Sequence, residues 1–156
     1  MAWTNPRTWV AGETLTAALL NVHLRDNLNA LGDPWTAYTP TLTGWAIGNG
    51  TLVARYMATG KLIHAYIKIT AGSTTTYGTL GVSLPVASRV GAWFPAGLIV
   101  CKDDAATNPR TVSAVLTSTT AVAGFQEAGA AAPTATVPFT FGAADTVEFV
   151  LTYEAA

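Results

Sequence analysis

The sequence predicts a mainly β protein with one helix near its amino-terminal end, and three observations carry this prediction. Over residues 14–31, apolar side chains recur every three or four positions, as on one side of a helix. Beyond residue 35, apolar and polar side chains alternate in short runs, which is typical of half-buried strands. These runs show no strand–helix–strand alternation, so a nucleotide-binding parallel sheet is not expected. We predict an antiparallel β-sandwich or jelly-roll-like body, preceded by an N-terminal arm and one α-helix.

The chain length favours one folded body with an appendage. Its 156 residues suffice for one sizeable core and are few for two full domains. We therefore divide the chain into an arm with an oligomerisation or docking helix, residues 1–34, and a β-sandwich domain, residues 35–156.

The helix carries clear start and stop signals. Thr14 or Thr16 can cap its amino end, and Gly32 with Pro34 ends it. Its main apolar stripe contains five residues: Ala17, Leu20, Leu24, Leu28 and Leu31. A second strip contains Leu15, Leu19 and Val22. Two strips are more than one helix–helix contact needs, so we expect a bundle of three sister helices or a pocket in another protein. The alternative is that the helix folds back on its own sandwich.

The body contains eight or nine candidate strands at steady spacing, which favours a sandwich. They span residues 36–42, 51–57, 61–70, 77–84, 96–102, 111–117, 121–126, 134–141 and 146–154. Residues 103–109 and 127–133 have the composition of loops, and we expect them at the exposed end of the body, where binding variation is usually placed.

Composition and charge narrow the possible partners. Charged residues make up 11% of the chain, against about 25% in typical soluble domains, while Ala (28) and Thr (25) are abundant. So few charges favour an oligomer or a packed array. The net charge is −1 and the basic residues are scattered, so neither nucleic acid nor a membrane surface is an expected partner. There is no secretion signal and no membrane-spanning apolar run, so we expect synthesis in the cytoplasm without export by that route.

No constellation for catalysis, cofactor binding or metal binding stands out, and we expect no enzyme. The two histidines are far apart in sequence; His23 has Asp26 one turn later, without a third partner. If the helix trimerises, His23 could meet its copies and make the contact sensitive to pH. Asp103 and Asp104 are expected to be solvated loop acids rather than calcium ligands. Cys101 follows an apolar run and reads as a buried hydrophobe.

Five tryptophans are unusual for a chain with so few charges. Trp3 and Trp9 bracket the arm, where indoles gain little unless something covers them. Trp35 stands at the junction of helix and body, with Trp45 and Trp93 further on. Core or interface packing is the commoner use of such rings, and stacking on a host glycan is the alternative.

The amino-terminal motifs resemble those of virion proteins of tailed bacteriophages, especially phages of actinobacteria. The resemblance lies in Trp9-x-x-Gly12-Glu13, then Thr16-Ala17-Ala18, then Asn21-x-x-x-Arg25-Asp26-Asn27-Leu28. The body is also similar over residues 38–44, 48–51, 56–61 and 151–155, and least so over residues 89–133.

This resemblance implies a structural or attachment role in a virion and does not choose between tail and capsid. We expect a homotrimer joined through the helix, acting as a tail-tip or fibre-type protein that contacts the host surface. The alternative within the particle is a capsid decoration protein that clamps the major capsid protein. Arg25 and Asp26 would pair between neighbouring helices, and Trp3 and Trp9 would fasten the arm to an adjoining virion protein. Two other classes are a cell-wall glycan hydrolase, which needs two facing carboxylates, and a carbohydrate-binding module without catalysis.

Overall fold

The computed structural model describes residues 4–91, 93–106, 109–125 and 132–156. Its helical segment comprises α1 (Ala17–Leu20), a π-helical turn (Asn21–Arg25) and α2 (Asp26–Gly32). The segment begins at Ala17, three residues later than predicted, because Thr16 provides the cap: the backbone N–H of Leu19 donates to its hydroxyl oxygen at 3.3 Å. Asp33, with φ −60° and ψ 139°, is already extended and ends the helix. The predicted single α-helix is thus interrupted by one π turn.

The body is a single antiparallel sheet, so the predicted mainly β fold behind one helical segment is confirmed. Nine strands lie within the described ranges: β1 (Thr36–Ala37), β2 (Leu42–Thr43), β3 (Thr51–Thr59), β4 (Leu62–Thr70), β5 (Gly81–Ser83), β6 (Phe94–Lys102), β7 (Arg110–Leu116), β8 (Ala121–Phe125) and β9 (Thr146–Glu154). Their order across the sheet is β1-β3-β4-β9-β6-β7-β8-β5-β2.

The sheet is curled, and the chain itself shows why. β1 and β2 lie at opposite ends of the strand order, yet only residues 38–41 separate them. Five residue steps span at most about 18 Å, whereas nine strands laid flat would be about 38 Å wide. The two edges must therefore approach each other. The backbone confirms this, because Tyr38 N–H donates to Ala54 O on β3, the neighbour of edge strand β1, and Ser83 N–H on β5, the neighbour of edge strand β2, donates to Thr41 O.

The curl encloses one core in a sandwich-like body. Alternate residues of the long strands face inward and are almost fully buried, while their neighbours face solvent. On β4 and β9 the inward residues are Ile63, Ala65, Ile67, Ile69, Val147, Phe149, Leu151 and Tyr153. Cys101 lies in the same core, as the sequence predicts, and burial raises the pKa of its thiol to about 12.

Two predicted strands differ from the structure because of proline. Residues 134–141 contain no strand; Pro133 and Pro138 lack the N–H that a ladder needs, and the segment turns instead, with Thr134 N–H donating to Val137 O. The predicted strand over residues 36–42 is split into β1 and β2 around Pro40. The predicted strand over 77–84 is also shorter and survives only as β5.

The strand register defines two ends of the body. The helix is followed directly by β1, which pairs with the last part of β3. The helix therefore joins the body at the end where β3 stops and where β4 and β6 start. Lys102 ends β6 at the opposite end, and residues 103–106 follow it there with three exposed side chains, as predicted for a loop. Residues 107–108 and 127–131 of the two predicted loops lie outside the described residues. Exposure of the second loop is wrong for Ala132 and Pro133, which are buried; Pro133 O accepts from Leu80 N–H.

Candidate docking surface on the amino-terminal helix

The arm folds back along the helix through one buried asparagine. Asn27 is only 5% exposed, and its amide makes two hydrogen bonds with the backbone of Thr4. The side-chain oxygen accepts from Thr4 N–H at 2.9 Å, and the side-chain nitrogen donates to Thr4 O at 2.8 Å. A further bond of 3.2 Å joins that nitrogen to His23 O. Because a buried amide left without partners would destabilise the fold, these bonds fix the arm beside α2.

Aromatic and charged contacts hold the next part of the arm. The ring of Trp9 meets the ring of His23 edge to face, with centroids 6.2 Å apart. Arg7 lies 5.0 Å from the Trp9 ring centre and forms an ion pair with Glu13. Trp9 is still 37% exposed, while Trp3 lies outside the described residues. The expectation that both tryptophans fasten the arm to another virion protein therefore stays a prediction.

The predicted leucine stripe is exposed in the single chain. The exposed fractions are 50% for Leu24, 67% for Leu28 and 51% for Leu31. Ala17 is also exposed, and Leu20 is half-buried. Monomeric soluble proteins do expose isolated leucines, but a continuous apolar stripe marks an interaction surface.

The stripe is exposed because the chain uses a neighbouring face of the helix. His23, Asn27 and the buried Ala30 face the arm and the body, and α2 lies against β3. Leu24, Leu28 and Leu31 each follow one of these positions, a rotation of about 100° around the helix axis. The alternative, in which the helix folds back on its own sandwich, therefore accounts for only one face of the helix. That contact leaves the leucine stripe uncovered.

Arg25 and Asp26 pair with each other within the chain. The Arg25 guanidinium reaches one Asp26 carboxylate oxygen through two nitrogens, both at 2.8 Å. The predicted pairing between neighbouring helices would have to use the remaining N–H donors of Arg25.

The described residues contain neither a metal-binding cluster nor a membrane-spanning helix. Among them, no three His, Cys, Asp or Glu side chains come together in a way that could hold a metal ion. None of the described helical stretches reaches the length and hydropathy of a bilayer-spanning helix. Among the described residues, the Nδ1 atom of His23 is buried without a hydrogen-bond partner, and the His23 ring contacts Trp9 rather than the leucine stripe.

The sequence predicts the leucine stripe, but it does not reveal the hydrogen bonds between the Asn27 side chain and the Thr4 backbone. The i, i+3, i+4 spacing of leucines is a strong signal, whereas a hydrogen bond from Asn27 to a backbone 23 residues away leaves no spacing pattern. Comparison of the chain with protein-family models, with curated proteins and with solved structures found no match.

Proposed function

We propose that this chain is a structural protein of a bacteriophage particle. In this proposal it forms a homotrimer through the helical segment and acts as a tail-tip or fibre-type protein that attaches the particle to the host surface. The observation that carries the proposal is the exposed stripe of Leu24, Leu28 and Leu31 beside a helix face that is already occupied.

The energetics favour covering the stripe. Full burial of one leucine side chain contributes about 1.5–3 kcal/mol, so covering the exposed parts of these three contributes roughly 2.5–5 kcal/mol per copy. The second strip supports three helices rather than two, since Val22 is 42% exposed on another side of the segment and Leu15, just before the cap residue Thr16, is 57% exposed. In a bundle of three, each helix meets two neighbours and covers both strips.

The placement of the helix fits an attachment role. The helix joins one end of the body, and the loop after Lys102 lies at the other. A trimer built on the helix would leave that other end free to meet a host surface. The motif resemblance to virion proteins of tailed phages and the 11% charge content point in the same direction.

The first experiment measures the mass of the intact protein by size-exclusion chromatography with light scattering. The expected mass is three times that of the 16.2 kDa chain. A monomer at micromolar concentration in the absence of other virion proteins would contradict the trimer.

The second experiment locates the protein in purified particles by quantitative gel densitometry. A tail-tip or fibre role predicts a few trimers per particle. The alternative, capsid decoration with the arm and helix clamping the major capsid protein, predicts many dozens. Absence from the particle would contradict both.

A further inference from the structure

The outer face of the sheet carries a cluster of side chains that the helix surface does not use. Trp35 stands just before β1, Arg55 lies on β3, and His64 and Tyr66 lie on β4. The register places Arg55 directly opposite Tyr66 on one side and Ala37 on the other, so these side chains share one face.

The cluster is built around the guanidinium of Arg55. Its central carbon is 5.3 Å from the ring centre of Trp35 and 5.6 Å from that of Tyr66. His64 supports the Trp35 ring edge to face at 5.3 Å, and its Nδ1 lies 2.8 Å from the Thr152 hydroxyl. Contact with aromatic rings holds a guanidinium in place without consuming its N–H donors. Arg55 is therefore both fixed and able to donate.

The charge of Arg55 has no acidic partner among the described residues. Both outward-facing acids of β9 are already paired: Glu148 with Lys68 at 2.8 Å, and Glu154 with Arg89 at 2.8 Å. Glu148 also accepts from the Tyr66 hydroxyl, and desolvation together with this carboxylate raises the pKa of that group, so one carboxylate lies at the margin of the cluster. Arg55 itself has no ion pair with a described residue and keeps its positive charge on an exposed side chain, in a chain whose net charge is −1.

We propose that this cluster binds an anionic saccharide, with Arg55 holding the acid group and Trp35 and Tyr66 contacting the sugar ring beside it. A guanidinium matches the two oxygens of a carboxylate or phosphate and can bind them bidentately. Trp35 is 36% exposed, so part of its ring is open to the apolar face of a sugar. The His64–Thr152 pair adds polar groups at the margin for sugar hydroxyls.

The single free positive charge of the Arg55 cluster argues against two other ligands, a neutral glycan and nucleic acid. A neutral glycan would leave the fixed guanidinium without a counterpart. Nucleic acid would need a basic stripe along several elements, and here one arginine stands free beside a neutralised Lys68. The inference rests on the proposed attachment function, for which it names the ligand class.

The test is a calorimetric titration of the intact protein with tetragalacturonate and with its methyl ester, which keeps the rings and removes the charges. Binding of the acid at least tenfold tighter than binding of the ester is expected, and binding should weaken as salt is raised. A parallel titration with a phosphorylated oligosaccharide decides between carboxylate and phosphate as the acid group. Equal affinity for acid and ester, or no binding of either acid at millimolar concentration, would overturn the proposal.

Variants distinguish specific binding at the Arg55 cluster from nonspecific electrostatic attraction of the anion to the protein. Arg55→Gln should weaken acid binding at least tenfold, Arg55→Lys should weaken it several-fold because the planar fork is lost, and Trp35→Ala should weaken acid and ester alike. The matched control is Arg110→Gln, which removes an exposed positive charge on β7. If Arg110→Gln weakens binding as much as Arg55→Gln, the proposal is wrong.

The titration needs no phage particle, so its outcome is separate from that of the proposed function. A missing affinity in a trimeric, particle-borne protein overturns the saccharide site alone. A monomeric protein absent from particles overturns the attachment function, whatever the titration shows.

Discussion

The helical segment and strand β4 both carry large aliphatic side chains, but these are exposed on the helix and buried on the strand. On β4, Ile63, Ile67 and Ile69 are at most 1% exposed. On the helix, Leu24 and Leu28 are 50% and 67% exposed. The sheet covers its apolar face by curling on itself, whereas one helix against one edge of that sheet can cover only part of its own circumference. The contrast teaches that the body buries its own apolar face, whereas the helix leaves an apolar stripe exposed in the single chain.

The polar contacts show the same division. The hydrogen bonds between Asn27 and the Thr4 backbone stay within the amino-terminal region, since the two residues are only 23 positions apart. The ladders of the body join distant parts of the chain, for example Ile63 with Tyr153. We therefore expect the two regions to respond separately to mutation.

The largest expected effect comes from the centre of the body. Phe149 is fully buried and lies between Ile67 and Ile99 in the ladder. Phe149→Ala should lower the free energy of unfolding by about 3–5 kcal/mol, because transfer and cavity costs add. Urea unfolding followed by circular dichroism measures this. The control is Val150→Ala on the outward side of the same strand, which should cost below about 1 kcal/mol. Equal losses would contradict the assigned core face.

The next effect is on assembly rather than folding. Leu28→Asp, or Leu24→Asp, should break the oligomer and leave the unfolding midpoint of the body unchanged, because a carboxylate cannot be buried between sister helices. Light scattering gives the mass and circular dichroism the midpoint. Asn29→Asp adds the same charge at an exposed position off the stripe and should leave the trimer intact. A trimeric Leu28→Asp variant would show that the stripe is not the interface.

Alkaline pH should destabilise the body through Cys101. Burial raises the pKa of its thiol to about 12, while an unfolded thiol titrates near about 8.5. Above pH about 8.5 the unfolded chain loses a proton that the folded chain keeps, so stability falls as pH rises, by roughly 2 kcal/mol at pH 10. Urea unfolding at pH 8 and pH 10 measures the loss. Cys101→Ala should remove most of this slope, and an unchanged slope would point to another group.

The smallest expected effect is release of the arm. Asn27→Ala removes both hydrogen bonds to the Thr4 backbone and should cost about 1–2 kcal/mol. Hydrogen exchange should accelerate at Thr4 N–H and stay slow in β4. Asn29→Ala is the matched control, since Asn29 is exposed. Unchanged exchange at Thr4 would mean that other contacts hold the arm.

The sequence allows the long elements to be predicted, since their patterns are regular. Residues 61–70 alternate cleanly and form β4, and the leucine spacing over residues 14–31 marks the helix. The curl could not be predicted, because β1 and β2 are two residues long and too short to show a pattern. The Arg55 cluster depends on cross-strand register between β3 and β4, which one sequence does not specify. The π turn over Asn21–Arg25 has no sequence signal that we can identify.

The short connection between β1 and β2, residues 38–41, affects how closely copies of this protein can be placed without aggregating. Unpaired sheet edges are the usual route by which β proteins polymerise, and this chain has few charges to keep copies apart. Here the connection draws the two margins of the sheet side by side, each met by a two-residue strand. In the proposed trimer, three bodies could then stand close together, joined by their helices, without growing into a fibre.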